Sequence, residues 1–222
     1  GALNPALVPA VLRLTRALGA GWHLLAVTAA RNAKGAVASG AQSDPSPETI
    51  LVTGGAGYIG AHVTAALAAS GRSVVVLDDL STGTADRVPD GVTLIEGDVG
   101  DAAVVGAALH DHGVTAVIHI AAKKQVGESV ARPLWYYRQN VTAMATLLEG
   151  CVDAGVGRFL FSSSAATYGM GSGGVIEEDD PPRPINPYGE SKLIGEWLLA
   201  DVARATGLRY AALRYFNVAG AV

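Results

Sequence analysis

Residues 49–60 constrain this chain more than any other stretch. Thr49-Ile-Leu-Val-Thr53 is a short apolar run that breaks abruptly into Gly54-Gly-Ala-Gly57-Tyr-Ile-Gly60. Such a run fits a strand buried on both faces. The GxxGxxG spacing lets the chain turn tightly and pack a helix against the strand it has just left. A helix is predicted from about Ile59 to Ser70, ended by Gly71, and a second strand from Ser73 to Leu77, ending at Asp78. Strand, tight turn, helix, strand is a βαβ unit, and it commits the chain to parallel strands with crossover helices.

The alternation continues. Val92 to Glu96, Ala116 to Ile120, Arg158 to Phe161 and Arg209 to Tyr215 read as strands, separated by helical stretches near Asp101, over 133–151 and over 188–205. The predicted fold class is α/β, a doubly wound parallel sheet of Rossmann type with helices on both faces. Ligands of such sheets sit outside the carboxyl ends of the strands, and the candidates fall there. Gly54, Gly57, Tyr58, Ile59 and Gly60 bring backbone N–H groups to a pyrophosphate at a helix start. Asp78 stands where adenosine ribose hydroxyls are bound, and no arginine follows it immediately to receive a 2′-phosphate, so NAD is favoured over NADP. Past the third strand, in Gly97-Asp98-Val99, Asp98 either accepts from the adenine amino group or caps the helix starting near Asp101. Ala121 and Ala122 are small enough to lie beside a cofactor.

Asn186-Pro-Tyr188-Gly-Glu-Ser-Lys192 opens the last helix. Asn186 suits the N-cap, Pro187 the first helical position and Glu190 the positive helix start. Tyr188 and Lys192 then stand one turn apart on one face. A phenol titrates at about 10, and bringing it near neutrality takes about 4 kcal/mol of preferential stabilisation of the phenolate. A neighbouring ammonium and a cationic nicotinamide ring both act in that direction. The pair therefore reads as a proton-transfer device for hydride chemistry, although YxxxK taken alone also describes a half-buried tyrosine and a solvated lysine. Ser164, beyond the fifth strand, can donate to a substrate oxygen and relay a proton to Tyr188. Ser162 and Ser163 are assigned to backbone groups at the strand end.

Taken in order, VTGGAGYIGAH (52–62), DDLSTG (78–83), GDV (97–99), KKQVGESV (123–130), YYRQNV (136–141), FSSSAATYG (161–169), NPYGESK (186–192) and LRYFNVAGA (213–221) resemble the extended short-chain dehydrogenase/reductase superfamily. Within it they are most similar to the UDP-hexose 4-epimerases. The resemblance runs from about residue 49 to the end of the chain. It implies that Tyr188 is the base, Lys192 its partner on the nicotinamide ribose, and Ser164 the serine at the sugar 4-hydroxyl. It places Lys124 near cofactor and substrate, Asn140 beside the cofactor pocket, and Phe216 and Asn217 along the nicotinamide and nucleotide-sugar site. Mid-helix asparagine is also an ordinary packing residue. Gly54, Gly57, Tyr58, Ile59, Gly60, Asp78, Asp98, Val99 and Ala121 match cofactor contacts. The related 4,6-dehydratases carry an Asp-Glu pair just after the strand-five hydroxyl residue, where this chain has Ala165 and Ala166, so elimination of water is disfavoured. The implied reaction is 4-epimerisation of a UDP-hexose through a transient 4-keto sugar, with NAD leaving unchanged.

Composition narrows the alternatives. A formal charge of −4 over 222 residues argues against nonspecific nucleic-acid binding. The single cysteine, Cys151, allows no internal disulfide and fits a reducing, cytoplasmic setting. The five histidines show no metal spacing, and His110 and His112 read as solvated surface. Residues 1–48 are a separate material. Leu7, Val11, Leu14 and Leu18 share one possible helical face, but Arg13, Arg16 and His23 interrupt the stretch too often for a membrane span or signal peptide. They read as an appended helix followed by a linker ending near Asp44-Pro-Ser-Pro47, with residues 49–222 forming the NAD-binding catalytic domain. Proteins of the resembled group continue well past the RYFN segment and build most of the nucleotide-sugar pocket there. An epimerase, a cofactor-binding module without turnover and another nucleotide-sugar short-chain dehydrogenase or dehydratase therefore all stay open. In that group helices equivalent to 133–151 and 188–205 pair across a two-fold axis, implying a homodimer, while from sequence the same helices can equally be internal.

Overall fold

A computed structural model describes residues 48–171 and 175–218, and the expected appended helix and linker lie outside them. The core is a six-stranded parallel sheet in the order β3-β2-β1-β4-β5-β6. Its strands are β1 (Thr49–Thr53), β2 (Ser73–Asp78), β3 (Thr93–Glu96), β4 (Val114–His119), β5 (Arg158–Ser164) and β6 (Arg209–Tyr215). Crossover helices are α1 (Tyr58–Ala69), α2 (Ala102–Asp111), α3 (Val126–Ala131), α4 (Pro133–Tyr137), α5 (Ala143–Asp153) and α6 (Pro187–Thr206). The predicted helix over 133–151 is α4 and α5 joined by a π turn, Arg138–Thr142. β2 and β3 are connected only through a short 3-10 turn at Ala85–Arg87.

Alternation along the strands sends side chains to two cores. Leu51, Leu77, Val117 and Phe159 pack with Val105, Leu109, Met144, Leu147 and Leu199 from α2, α5 and α6. On the other face Ile50, Val52, Ile118 and Leu160 pack with Val63 and Leu67 of α1. Helices thus cover both faces, as the doubly wound reading requires.

Three details differ from the sequence reading. β5 runs through Ser162, Ser163 and Ser164 rather than ending at Phe161, because all three pair in register with Leu213, Arg214 and Tyr215 of β6. β4 begins at Val114 and ends at His119, two residues earlier at its start and one at its end than predicted. Asp98 is not a helix cap. The cap of α2 is Asp101, which accepts from Ala103 N at 2.9 Å and Val104 N at 3.3 Å, while Asp98 closes a turn onto Gly100 N at 2.7 Å.

The strand order reverses between β1 and β4, and the loops leaving these strands diverge there. Gly54 makes the turn at φ +72°, and a Cβ on it would lie 2.6 Å from Ala121 N. A Cβ on Gly60 would lie 1.9 Å from the Gly54 carbonyl oxygen. Gly60→Ala should therefore cost about 3 kcal/mol by overpacking. Gly106, inside α2, has nothing within 4 Å of the place a Cβ would occupy, and Gly106→Ala should add about 1 kcal/mol of helix stability. Chemical denaturation of the two variants should give shifts of opposite sign.

Candidate functional site

The first helix opens without a side-chain cap, since its N-cap is Gly57. Its start thus presents backbone N–H groups and the positive end of a dipole at the mouth of the crevice. Asp78, 6% exposed, fixes this turn: its carboxylate accepts from Ala56 N and from Leu80 N, each at 2.9 Å. The loop after β2 lies on the turn, with Thr84 N donating to Ala56 O at 3.2 Å. A Cβ on Gly83 would come within 2.8 Å of the Ala56 carbonyl. The cradle is made of backbone, and only residues without side chains fit its closest points. That geometry fits a pyrophosphate. Asp98 stays exposed and Val99 buried beyond β3, at the same end of the sheet.

The catalytic candidates converge on the other side of the crevice. Asn186 caps α6, accepting from Gly189 N at 2.9 Å, and Pro187 takes the first position. Gly189 permits a close approach: a Cβ there would lie 2.5 Å from the Ala166 carbonyl oxygen. The helix start therefore rests on the 3-10 turn Ala165–Tyr168 that follows β5. This contact brings Tyr188 beside Ser164, whose hydroxyl favours the phenolate. Ser164 Oγ also accepts from Ala166 N at 3.1 Å.

Lys192 lies one turn further, 4% exposed, its Nζ donating to the Ser162 carbonyl at 2.8 Å and lying 4.9 Å from the Phe161 ring centre. Burial pulls the ammonium down to about 7. The expected lowering of the Tyr188 phenol by this charge does not occur among the chain's own groups. Burial raises the phenol above its usual value, and only the Ser164 hydroxyl acts the other way. The physical reason is that the Lys192 ammonium is turned to a carbonyl and a ring.

Behind the lysine sits His119, buried at the end of β4, with its Nδ1 2.7 Å from Thr53 Oγ1. Burial, and then the Lys192 charge, push its imidazole down to about 3, so it is neutral at pH 7. Ser163 does not serve the strand end as predicted. It donates to Glu196 of α6, which also receives a two-pronged pair from Arg214 of β6 at 2.9 and 2.6 Å.

Asn140 is 6% exposed and grips the backbone of Lys123 from both sides. Its Oδ1 accepts from Lys123 N, and its Nδ2 donates to Lys123 O, both at 2.9 Å. The same amide reaches Ser191 Oγ at 3.1 Å, and Ser191 Oγ donates to the Tyr188 carbonyl at 2.7 Å. The adjacent lysines divide their work. Lys123 reaches over the mouth of the sheet to Ser81 Oγ at 2.6 Å and Asp79 at 3.5 Å. Burial alone would raise the Asp79 carboxyl, but hydrogen bonds from Ser81 and the Lys123 charge hold it below its usual value. Lys124 is exposed, and its ammonium makes no hydrogen bond or ion pair among the described residues. Phe216, 65% exposed, and Asn217 stand just past β6. Gly189, Lys123, Asp79 and Ser81 join the site without a role assigned from sequence, although each lies inside one of the segments that carry the resemblance.

A family model described as the NAD dependent epimerase/dehydratase family matches residues 50–222. The chain belongs to this family. It is 51% identical over 180 residues to the UDP-glucose 4-epimerase of Azospirillum brasilense, covering 81% of this chain and 51% of that protein. To the UDP-glucose 4-epimerase of Lactobacillus helveticus it is 49% identical over 172 residues, covering 78% and 52%. Among solved structures, the UDP-glucose 4-epimerase from Brucella ovis in complex with NAD superposes with a TM-score of 0.76 at 47% identity, covering 79% of this chain and 54% of that one. The UDP-glucose 4-epimerase of Thermus thermophilus, also in complex with NAD, gives 0.73 at 40% identity, covering 75% and 54%. This chain thus spans about half the length of the curated relatives it matches. Membership of the family agrees with the resemblance read from the motifs.

Gly189→Ala should lift the start of α6 off Ala166 and part Tyr188 from Ser164, which a fluorescence titration of the tyrosines or a solved variant structure would register. Lys192 titrates at about 7 when folded, against 10.5 for the ordinary side chain. Between those values the unfolded chain holds a proton that the folded chain lacks, so this group makes stability rise with pH from about 7 towards 10. The melting temperature of the chain minus that of Lys192→Met should climb across that window.

Proposed function

We propose that this chain carries the cofactor-binding and catalytic part of an NAD-dependent UDP-hexose 4-epimerase that interconverts UDP-galactose and UDP-glucose. The observation that carries this reading is the close packing of the α6 start on the turn after Ser164, which sets Tyr188 beside that serine with buried Lys192 one turn behind, at the carboxyl end of the sheet. The relatives named UDP-glucose 4-epimerase and the NAD named with their structures support it.

In this reading Gly54, Gly57, Tyr58, Ile59 and Gly60 hold the pyrophosphate, and Asp78, Asp98 and Val99 hold the adenosine end. Ala121, Lys124, Asn140, Tyr188, Lys192 and Phe216 hold the nicotinamide end. Bound NAD supplies the acceptor and later the donor of hydride, and its cationic ring adds the positive charge that the Tyr188 phenol lacks within the chain. Tyr188 takes the proton of the sugar C4 hydroxyl during oxidation and returns it on reduction. Ser164 donates to that oxygen in both directions. Lys124 and Asn217 hold the nucleotide sugar while the flat 4-keto ring presents either face. Ala165 and Ala166 carry no group able to move a proton, which disfavours dehydration of the same ketone.

The reading extends to assembly and location. Val130, Leu134 and Trp197 are 62%, 71% and 57% exposed along α3, α4 and α6. We assign that face, through helices 133–151 and 188–205, to a homodimer. The lone Cys151 is buried, and burial pushes its thiol up to about 12, so it is an inert core residue consistent with cytoplasmic residence. No described helix is long and apolar enough to cross a membrane. A second reading, binding of NAD without turnover, draws on exposed apolar residues around the ends of β5 and β6: Met170 at 80%, Ile185 at 63% and Phe216 at 65%.

Incubation of the chain with UDP-galactose and NAD should yield UDP-glucose, followed by a coupled dehydrogenase assay. Tyr188→Phe should lower the rate by at least about a hundredfold while NAD is still retained. Retention of NAD by the unaltered chain with no interconversion selects the second reading.

A further inference from the structure

Two side chains of the crossover between β4 and β5 hold the segment that leaves β4, and each does so by the same device. Asn140 grips Lys123 through both backbone groups, as described above. Tyr136 grips Gln125: its phenol donates to Gln125 O and accepts from Gln125 N, both at 2.8 Å. The gripping residues stand four apart along a helical stretch, about 6 Å of rise. The gripped residues stand two apart, about 6.6 Å if the chain is extended, and Gln125 has extended angles, φ −83° and ψ 113°. The two repeats match, so one helix face serves two alternate residues. The residue between them is Lys124.

Tyr136 is fully buried, at 0% exposure. A phenylalanine would fill the same volume, so the oxygen is there for its hydrogen bonds. The carbonyl of Gln125 has a second donor, Ser129 N at 3.0 Å, whereas its N–H has the phenol alone among the described residues. Glu128 Oε2 lies 3.1 Å from the same phenol, which has one proton to share between it and the carbonyl. Burial raises the phenol to about 12, with smaller contributions from Glu128 and the nearby Tyr188, so it remains a protonated donor at neutral pH.

We propose that Tyr136 is a positioning residue: by holding the backbone of Gln125, with Asn140 holding that of Lys123, it fixes the place from which Lys124 meets the bound dinucleotide. This rests on the cofactor reading above. It adds a residue that touches neither cofactor nor sugar and acts through the lysine next to the residue it grips.

The test is a double-mutant cycle on the 222-residue chain, read by NADH fluorescence titration. Tyr136→Phe should weaken binding about three- to tenfold, the worth of one hydrogen bond. Lys124→Ala should weaken it as well, and the double variant should bind no more weakly than Lys124→Ala alone. Gln125→Pro removes the gripped N–H at a φ close to that of proline and should reproduce Tyr136→Phe, which keeps the test available if the phenylalanine variant fails to fold. Glu128→Gln should bind as the unaltered chain does. Wild-type affinity in Tyr136→Phe and in Gln125→Pro overturns the proposal, as do effects that multiply in the double variant or a Glu128→Gln that mimics Tyr136→Phe. If the unaltered chain binds no NADH, the cofactor reading itself falls. Amide exchange then separates the two failures, because lost protection at Gln125 in Tyr136→Phe still marks the clamp, and unchanged protection removes it too.

Discussion

The crevice exists because two backbones touch where the strand order reverses. Gly54, leaving β1, lies against Ala121, leaving β4, at a distance that leaves no room for a Cβ. The loops on either side must then diverge, and the uncapped start of α1 is delivered into the gap between them. Asp78 holds the turn from the β2 side through Ala56 N, and Lys123 spans to Ser81 and Asp79 from the β4 side. The loops leaving β1 and β4 take their positions from that backbone contact. A bulky residue at any of its closest points would separate β1 from the loops that line the crevice.

The side of the crevice that holds Tyr188 and Lys192 is organised by an unfavourable burial. Lys192 is taken out of water and offered a carbonyl and an aromatic ring, with no carboxylate beside it among the described residues. Its ammonium is consequently held down to about 7. Glu196, one turn further along the same helix, and Arg214 of β6 show the alternative: two charges, 13% and 9% exposed at the side chain, satisfied by each other. Arg214 also stacks 4.6 Å from the Tyr168 ring centre. The second arrangement is how a fold stabilises buried charge. The first is how it keeps a charge available, and perturbed groups of this kind mark functional sites more often than structural ones. His119 completes the contrast, because burial leaves it neutral and tied to Thr53, a polar wall rather than an acid.

Much of this is legible in the sequence where one local rule decides the outcome. The β1–turn–α1 unit and the Asn186-Pro187 helix start appear as predicted, because the β-branched run of β1, glycine spacing and capping are properties of neighbours in the chain, and β6 keeps its predicted bounds. What is not legible depends on partners distant in sequence. Ser162 to Ser164 look like a strand terminus until β6 is seen beside them, and the pairing with Leu213, Arg214 and Tyr215 overrides their weak strand preference. Asp98 and Asp101 both suit a cap, and the choice is made by where α2 starts, a boundary that sequence sets poorly. The state of the Tyr188 phenol escapes the YxxxK rule because spacing fixes which face a lysine occupies but not where its ammonium points. Asn140 and Tyr136 hold backbone groups of a segment with no repeating pattern of its own, and such grips leave no periodic trace.

Smallness at three positions joins packing to chemistry. For Tyr188 to meet Ser164, the first turn of α6 must rest on the 3-10 turn after β5, and the contact is between Gly189 and the carbonyl of Ala166. A side chain at 189 would hold the two elements apart. Ala165 and Ala166 carry only methyl groups, so the turn presents its backbone to the helix and no titratable group to the space beside the tyrosine. With two carboxyl groups there, the same site would have an acid and a base close to a ketone and would be suited to eliminating water. Under the proposed reading, Ser164 is then the relay beside Tyr188 and Lys192 the charge one turn behind it. In the proposed reading a site so limited removes a proton and returns it to the same oxygen, and that restriction, more than any added group, would separate epimerisation from dehydration.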